Sequence, residues 1–440
     1  MTFSSPMSTS TTSTSSGPGS TVPKIEVQRE RFELGCGATL LVHRRVGAPV
    51  TAVRVHLRGG PSLDPAGKEG VAYMSGAFAD QGTDTKSDED IALLLEPEGG
   101  GIQGDAMGLS GAVAGSSWGI LMDVLGEVMA TASYPDARVA THMDRLKTRL
   151  AVEAEDPRAQ GGILFKKLIY GGDHFLGRSA YGTLESASRI TAEDMRAHRA
   201  ANWCGKRAVI AVVGDVDPKE VRDRAELAFA NVPAGTSHER KEPTFPAIEP
   251  RRAAFERERN QVHVYLGHLG IKRNDPDYVA LAVMDHVLGT GPGFTNRITQ
   301  KLRDQMGLAY TVHADIHGSA GLLPGMFRAY IGTSPEHVQT AVDGFLAEMR
   351  TIRDEPVPVE ELEVAKSYLV GSFSMGFERA SRRASYLISA ELHGFPDDHL
   401  ERLPGEFSAV TSEDIQRAAQ KHLMPDACSI ALSGPHVELS

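Results

Sequence analysis

The pattern of apolar and polar residues predicts strands in four segments, and these segments fall into two pairs. Residues 51–60 (TAVRVHLRGG) and residues 261–270 (QVHVYLGHLG) alternate with a period of two and then run into glycine, as half-buried strands do. Residues 208–215 (AVIAVVGD) and residues 428–435 (CSIALSGP) are short apolar runs that also end at glycine. The two members of each pair are separated by 210 and 220 residues, so the pattern predicts the same strands twice.

Helix starts are duplicated at similar separations. ITAEDM (190–195) and VTSEDI (410–415) each place a threonine before acidic residues, the arrangement of an N-cap and a first helical turn. YPDARVATHMDRLKTRL (134–150) and VPVEELEVAKSYLVGSF (357–373) each carry a proline near the start of a helical pattern, where proline is favoured. Because the matches follow the same order in both halves, we infer that the chain is an internal duplication.

Each half therefore consists of strands, long helices, and a final helix followed by a strand. That order of elements is typical of an α+β domain. We predict an α+β fold with two homologous repeats, each a mostly antiparallel sheet with helices packed on it. Duplicated halves joined by a linker often face each other, so we also expect a groove or chamber between them.

Composition sets the predicted domain boundaries. Residues 1–23 are rich in serine and threonine and lack the basic start and apolar centre of a signal peptide, which predicts a disordered tail. Residues 234–250 are rich in proline and charge and show no periodicity, as expected of a linker. The N-terminal repeat is accordingly predicted at 24–233 and the C-terminal one at 251–440.

Charge and cysteine content narrow the functional classes. The formal net charge of −11 argues against broad binding to nucleic acid or to anionic membranes, since both need a basic face. Cys36, Cys204 and Cys428 are scattered and form neither a disulfide framework nor a CxxC metal pattern. No apolar run reaches the roughly 18 residues that a membrane-spanning helix needs. We expect a cytoplasmic protein.

The segment GGPSLDPAGKEGVAYMSGAFADQGT (59–83) resembles the zinc-binding segment of pitrilysin-type (inverzincin) metallopeptidases. In active relatives a helix here carries H-x-x-E-H. Its two histidines lie four residues apart on one face and hold one zinc ion, and its glutamate acts as general base. In the alignment the histidines fall on Tyr73 and Ala77 and the glutamate on Gly76. These three residues offer no imidazole and no carboxylate, so we expect a degenerate motif without metal.

Active relatives take a third zinc ligand, a glutamate, from a later helix. The matching helix is predicted at 141–157 (THMDRLKTRLAVEAEDP). The alignment puts the ligand position near Thr148 or Arg149, and an alignment gap would bring Glu153 or Glu155 to it instead. A single glutamate cannot hold catalytic zinc, so we expect this chain to bind no cofactor.

The second half carries a longer resemblance to the same family. VLGTGPGFTNRITQKLRDQMGLAYTVHADI (287–316) is similar to the family's C-terminal signature, including its L-R and A-Y pairs. In the family, the arginine and tyrosine of these pairs hold a backbone carbonyl of the substrate, and the matching residues here are Arg303 and Tyr310. A guanidinium and a phenol donate hydrogen bonds near neutral pH and suit that role. The structural alternative is that Arg303 pairs with a helix neighbour and Tyr310 packs in a core.

The resemblance covers nearly the whole chain and implies a non-catalytic subunit, similar to those of heterodimeric bacterial peptidases and of mitochondrial processing peptidase. A homologous partner carrying H-x-x-E-H would supply Zn²⁺ and the general base, and the peptide substrate would be cleaved in a chamber between the subunits. Arg303 and Tyr310 would orient that peptide, and no zinc-dependent activity is expected of this chain alone. The alternative is a structural or assembly subunit without a role in proteolysis, like the core proteins of the respiratory bc1 complex.

Two departures from the family pattern bear on substrate access. Thr290-Gly291-Pro292 is an insertion in the glycine-rich loop before Phe294, a loop that is thought to help admit substrate in the non-catalytic subunit of mitochondrial processing peptidase. Gly104-Asp105 stands where active relatives begin an edge strand that pairs with extended substrate. Substrate pairing in the first half is therefore not expected.

Two other polar pairs have simple structural interpretations. His313 and His317 lie four residues apart in a segment that alternates like a strand, which would place them roughly 13 Å apart, too far for one metal ion. We interpret them as exposed polar positions. Asp215 and Asp217 follow a strand end and are interpreted as turn residues.

Overall fold

The structure, a computed structural model, describes residues 28–240, 242–291 and 295–439. The predicted tail at 1–23 and the residues 292–294 of the glycine-rich loop lie outside this described part. None of the helices in the described ranges is both long and apolar enough to span a membrane.

The first half contains a six-stranded sheet and eight α-helices in its described residues. The strands are β1 (Glu30–Glu33), β2 (Thr39–Arg44), β3 (Val50–Leu57), β4 (Gly101–Asp105), β5 (Gly108–Ala114) and β6 (Ala208–Gly214). The helices are α1 (Val71–Ala77), α2 (Asp88–Leu95), α3 (Trp118–Thr131), α4 (Asp136–Glu155), α5 (Pro157–Tyr170), α6 (Leu184–Arg189), α7 (Ala192–Asn202) and α8 (Pro218–Ala228).

The second half contains a five-stranded sheet and six α-helices in the part that the structure describes. The strands are β7 (Arg252–Glu256), β8 (Val262–Leu269), β9 (Val312–Asp315), β10 (Met326–Thr333) and β11 (Ser429–Gly434). The helices are α9 (Tyr278–Asp285), α10 (Val338–Asp354), α11 (Val359–Gly376), α12 (Ala380–His393), α13 (His399–Ala409) and α14 (Ser412–His422). Two π-helical segments, His286–Thr290 and Thr299–Gln305, lie between α9 and β9.

The two sheets share a five-strand topology, and the first has an additional edge strand, β1. The first has the strand order β1-β2-β6-β3-β5-β4 and the second β7-β11-β8-β10-β9. In each sheet the last strand of the half pairs in parallel with its outer neighbour, β6 with β2 and β11 with β7, and the other pairs are antiparallel. The prediction of an α+β fold with two homologous repeats and mostly antiparallel sheets is confirmed.

Local signals in the sequence explain where several helices begin. Thr191 and Thr411 each form a capping box with an aspartate three residues later, at the starts of α7 and α14. Such reciprocal hydrogen bonds satisfy backbone N–H groups that the first helical turn leaves without partners. Asp217 accepts hydrogen bonds from the backbone of Lys219 and Glu220 and caps α8, which agrees with its interpretation as a turn residue.

One helix of each half packs on the sheet of the other half. On α5 of the first half, Phe165 is fully buried and stacks on Tyr265 of β8, with ring centroids 6.1 Å apart. On α12 of the second half, Leu387 packs with Val209 of β6 in a cluster on the first sheet. A sheet needs both of its faces covered when both are apolar. The exchange of α5 and α12 supplies the second cover for both sheets.

Candidate functional site

Arg303 and Tyr310 lie side by side at one edge of the second half. The Arg303 Cζ atom is 5.2 Å from the centre of the Tyr310 ring, within the range of a cation–π contact. Tyr310 is 86% exposed and lies just before β9, the edge strand of the second sheet. The alternative in which Tyr310 packs in a core is therefore wrong.

Two buried leucines and one glycine set the position of this pair. Leu302 and Leu308 are buried in the core of the second half, and the backbone N–H of Leu308 donates to the carbonyl of Leu302. Gly307 between them has a φ of 64°, which glycine adopts without steric cost and which ends the helical segment. Anchoring the leucines inward leaves Arg303 and Tyr310 on the outer side of the same turn.

Arg303 has an acidic neighbour on its own helical segment. The Arg303 side chain is partly exposed, and its Nε lies 3.8 Å from a carboxylate oxygen of Asp304. This neighbour agrees with the helix-partner alternative for Arg303, although a distance of this length is an ion pair and not a hydrogen bond.

An aromatic stack occupies the region that corresponds to the zinc site of active relatives. Tyr73 on α1 meets Tyr181 edge to face, with ring centroids 4.6 Å apart. The Arg149 guanidinium lies 4.3 Å from the centre of the same Tyr181 ring. Arg149 is one of the residues aligned with the third ligand, so it and Tyr73 do converge in space, although through an aromatic ring and not through a metal. Burial raises the pKa of Tyr73, which keeps its phenol neutral.

No side chain fits at Gly76, the position aligned with the general base of active relatives, because backbone atoms lie too close. A Cβ atom added at Gly76 would lie 1.9 Å from the carbonyl oxygen of Asp105, and one at Gly104 would lie 2.1 Å from the carbonyl oxygen of Gly76. Helix α1 thus rests directly on β4, where no side chain fits. Ala77 packs against the apolar core. The residues at this site do not fit a zinc ion, and we derive no metal-dependent step from this chain.

One other cluster in the described residues has the composition of a metal site. Asp275, Asp277 and His422 bring potential ligand atoms within 4.8 Å of one another. Lys421 and Arg417 donate hydrogen bonds of 2.7 Å to the two oxygens of Asp277. Burial alone would raise the pKa of Asp277, but these hydrogen bonds hold it well below its usual range. Side-chain cations already balance the carboxylate, so we interpret the cluster as structural.

The two histidines interpreted as exposed are not exposed. Burial lowers the pKa of His313 on β9 to about 4, and its ring packs on Tyr330 at 5.3 Å. His317 lies beyond the end of β9, where its Nδ1 is 2.5 Å from a carboxylate oxygen of the fully buried Asp285. Asp285 was not singled out from the sequence, although an acidic residue within the apolar run LAVMDHVLG is the kind of signal that could have found it.

A large cavity opens where the two halves meet, as the duplication predicted. Its volume is about 1230 Å³. Its lining residues come from the end of β3, the β4–β5 turn, the segment after α5, the linker, and the second half. The basic side chains Arg58, Arg207 and Arg240 contribute to its wall. Neither Arg303 nor Tyr310 lines it, so the cavity and the candidate pair are separate features.

Comparison with known sequences connects this geometry to a family. Residues 189–369 match the family described as the peptidase M16 inactive domain. The chain is 25% identical over 381 residues to an uncharacterized zinc protease of Mycobacterium tuberculosis, covering 83% of this chain and 84% of that protein. It is 24% identical over 392 residues to the non-peptidase homolog YmxG of Helicobacter pylori, covering 85% and 86% of the two chains.

Solved structures share the fold. A peptidase M16 inactive domain from Pseudomonas fluorescens superimposes with a TM-score of 0.86 at 23% identity, covering 94% of this chain and all of that one. A chain of complex III from Candida albicans superimposes with a TM-score of 0.76 at 15% identity, covering 92% of this chain and 95% of that one. Together with the degenerate motif at Tyr73, Gly76 and Ala77, these matches confirm the resemblance of this chain to pitrilysin-type peptidases of the form that lacks H-x-x-E-H.

Proposed function

We propose that this chain is the substrate-orienting, non-catalytic subunit of a heterodimeric zinc peptidase. The observation that carries the proposal is the combination of two sites in one chain. The zinc-site region is filled by Tyr73 and Tyr181 and closed at Gly76, whereas Arg303 and Tyr310 remain together on the surface. A cation and a phenol held this way at an edge strand suit the recognition of an extended peptide.

The partner in this proposal is a homologous chain that carries an intact H-x-x-E-H. It supplies Zn²⁺, the zinc-bound water and the glutamate general base. Arg303 and Tyr310 of this chain face the partner's metal across the chamber and donate hydrogen bonds to the carbonyl of the scissile region. Donors placed where negative charge develops on the carbonyl oxygen stabilise the transition state more than the bound substrate.

The test uses the co-purified pair and a quenched fluorescent peptide as substrate. We expect Arg303→Ala and Tyr310→Phe each to lower kcat by roughly a hundredfold, the scale measured for loss of one oxyanion donor, without dissociating the pair. Tyr368→Phe and Arg402→Ala are the matched controls, because Tyr368 and Arg402 are partly exposed and lie on other elements. Unchanged peptidase rates in both Arg303→Ala and Tyr310→Phe would rule the orienting role out.

A second candidate is a structural subunit without a role in hydrolysis, and the likeness in fold to a chain of complex III favours it. It predicts a stable complex whose peptidase rate does not depend on Arg303 or Tyr310. The pairing of Arg303 with Tyr310 argues against it, because a purely structural subunit has no need of the family's substrate-binding arrangement. The same set of variants distinguishes the two candidates.

A further inference from the structure

A second cavity lies on the first sheet, away from Arg303 and Tyr310. It has a volume of about 920 Å³ and is bounded by β3, β4 and β5 on one side and by the end of α11 and the start of α12 on the other. Helix α12 packs over β3 and β6, so the outer part of the sheet, toward the edge strand β4, forms the floor of this cavity. We call it the arginine groove, after Arg54, Arg379 and Arg382 in its lining.

The strand register explains why the groove is open. Ala52, Ala112 and Gly101 lie opposite one another on β3, β5 and β4, and side chains directly opposite share one face of a sheet. A Cβ atom added at Gly101 would meet nothing within 4 Å. This row of small residues crosses the sheet to its free edge and leaves depth above it.

The neighbouring row gives the floor its polar character. Arg54, Ser110 and Gln103 lie opposite one another two residues further along the same strands. Arg54 donates a hydrogen bond of 3.2 Å to the Ser385 hydroxyl of α12 and lies 3.5 Å from a carboxylate oxygen of Asp105. These contacts fix the guanidinium at the inner wall of the groove.

The charge of the groove has one sign. Among its described lining residues there are three arginines and no aspartate or glutamate. Arg379 and Arg382 are exposed, and within the described part of the chain neither side chain has a hydrogen bond or an ion pair. The nearest acidic neighbour in sequence, Glu378, is already paired with Arg45 at 3.0 Å.

This local excess of positive charge runs against the charge of the whole chain, which is −11. That overall charge opposes long-range attraction to nucleic acid or to an anionic membrane. The ligand must therefore be small enough to contact the groove without contacting the negatively charged surface around it. A single inorganic anion would fill only a small part of the cavity. An extended peptide fits the length of a groove beside an edge strand, and its carboxylates can bind guanidinium groups in bidentate geometry.

We propose that the arginine groove binds an extended peptide segment with acidic side chains, held by Arg379 and Arg382 at the rim and Arg54 at the floor. The occupant lies across the small residues Ala52, Ala112 and Gly101. This site does not depend on the role of Arg303 and Tyr310, because neither residue lines the groove and the site requires no zinc-bearing partner.

Fluorescence anisotropy with this chain alone tests the proposal. The probes are a fluorescein-labelled peptide of alternating glutamate and serine and its counterpart of alternating lysine and serine. We expect the acidic probe to bind and the basic probe not to bind. The double variant Arg379→Ala/Arg382→Ala should lower the affinity for the acidic probe roughly tenfold, because each exposed ion pair contributes modestly to binding. Added salt should lower that affinity further.

Three comparisons decide the outcome. Gly101→Glu places bulk and negative charge in open space above the floor and should abolish binding without a loss of folding, checked by circular dichroism. Arg259→Ala, which changes an exposed arginine on another loop, should leave binding unchanged. Equal binding by the double variant, or by Gly101→Glu, overturns the proposal. Displacement of the probe by an equimolar amount of inorganic phosphate also overturns it, because the site would then be a simple anion site.

Discussion

Gly76 of α1 and Asp105 of β4 are in direct backbone contact, so closely that even a methyl group at Gly76 would overlap the Asp105 carbonyl oxygen. We predict that Gly76→Ala lowers the free energy of unfolding by about 1–3 kcal/mol, the usual cost of overpacking a tight site. Urea denaturation followed by circular dichroism measures it.

Gly371→Ala is the matched control for that prediction. Gly371 lies in α11, and a Cβ atom there would meet nothing within 4 Å. Alanine in an open helical position should raise the free energy of unfolding by about 0.5–1 kcal/mol. Equal effects of the two substitutions would show that α1 is not confined by β4.

Introducing the histidines and the glutamate of H-x-x-E-H should not create a metal site. We predict that the triple variant Tyr73→His/Gly76→Glu/Ala77→His binds no zinc with the affinity of a catalytic site, because a glutamate at 76 has no room beside β4. Removing Tyr73 also takes away the edge-to-face partner of Tyr181. Zinc content after dialysis, measured by elemental analysis against the wild type, gives the answer. One tightly bound zinc per chain would contradict the closed geometry.

The buried pair of His317 and Asp285 should make stability depend on pH in the neutral range. Burial alone would lower the pKa of His317, but the hydrogen bond and charge of Asp285 raise it above its ordinary value. Because the raised pKa belongs to the folded state, the stabilising effect is fully present below the unfolded pKa of about 6.5. It is lost as the pH rises through the higher folded pKa.

The variant His317→Gln isolates this contribution. We expect its Tm to fall well below that of the wild type at pH 6, and the difference to shrink as the pH rises into the alkaline range. His337→Gln, which changes an exposed histidine at the start of α10, should show a small difference with no such trend. A Tm difference between the wild type and His317→Gln that grows as the pH rises would contradict a raised pKa of His317 in the folded state.

The exchanged helices should make the two halves unfold together. Phe165 on α5 is fully buried against the second sheet, and we predict that Phe165→Ala lowers the free energy of unfolding by about 3–5 kcal/mol. Both tryptophans, Trp118 and Trp203, belong to the first half, so their fluorescence reports on that half and circular dichroism on the whole chain.

The two signals should move together in Phe165→Ala, as two-state behaviour requires. Leu227→Ala serves as the control, since Leu227 is largely exposed on α8 and its loss should change stability by less than about 0.5 kcal/mol. Separate transitions for fluorescence and circular dichroism would mean that the halves unfold independently.

Those parts of the fold that local signals specify were predictable from the sequence. The strand pairs at 51–60 and 261–270 and at 208–215 and 428–435 agree with β3, β8, β6 and β11. Thr191 and Thr411 cap helices as their spacing implied. The adjacency of Arg303 and Tyr310 also followed from a motif, because the turn that joins them is short.

The features that depend on long-range packing were not predictable. An amphipathic stripe on α5 or α12 shows that one face is buried but not which sheet covers it. The pairing of His317 with Asp285 joins residues 32 positions apart, and the local alternation around His317 suggested an exposed strand instead. The closeness of Gly76 to Asp105 likewise depends on how far α1 settles onto β4, which no local pattern records.

The exchange of α5 and α12 has a consequence for each half taken by itself. A single half standing alone would keep its own helix but leave bare the apolar sheet face that the other half's helix covers. A second copy donating the equivalent helix is one way to cover that face, and such an association would depend on concentration. Joining the two halves in one chain makes the exchange intramolecular and removes that dependence.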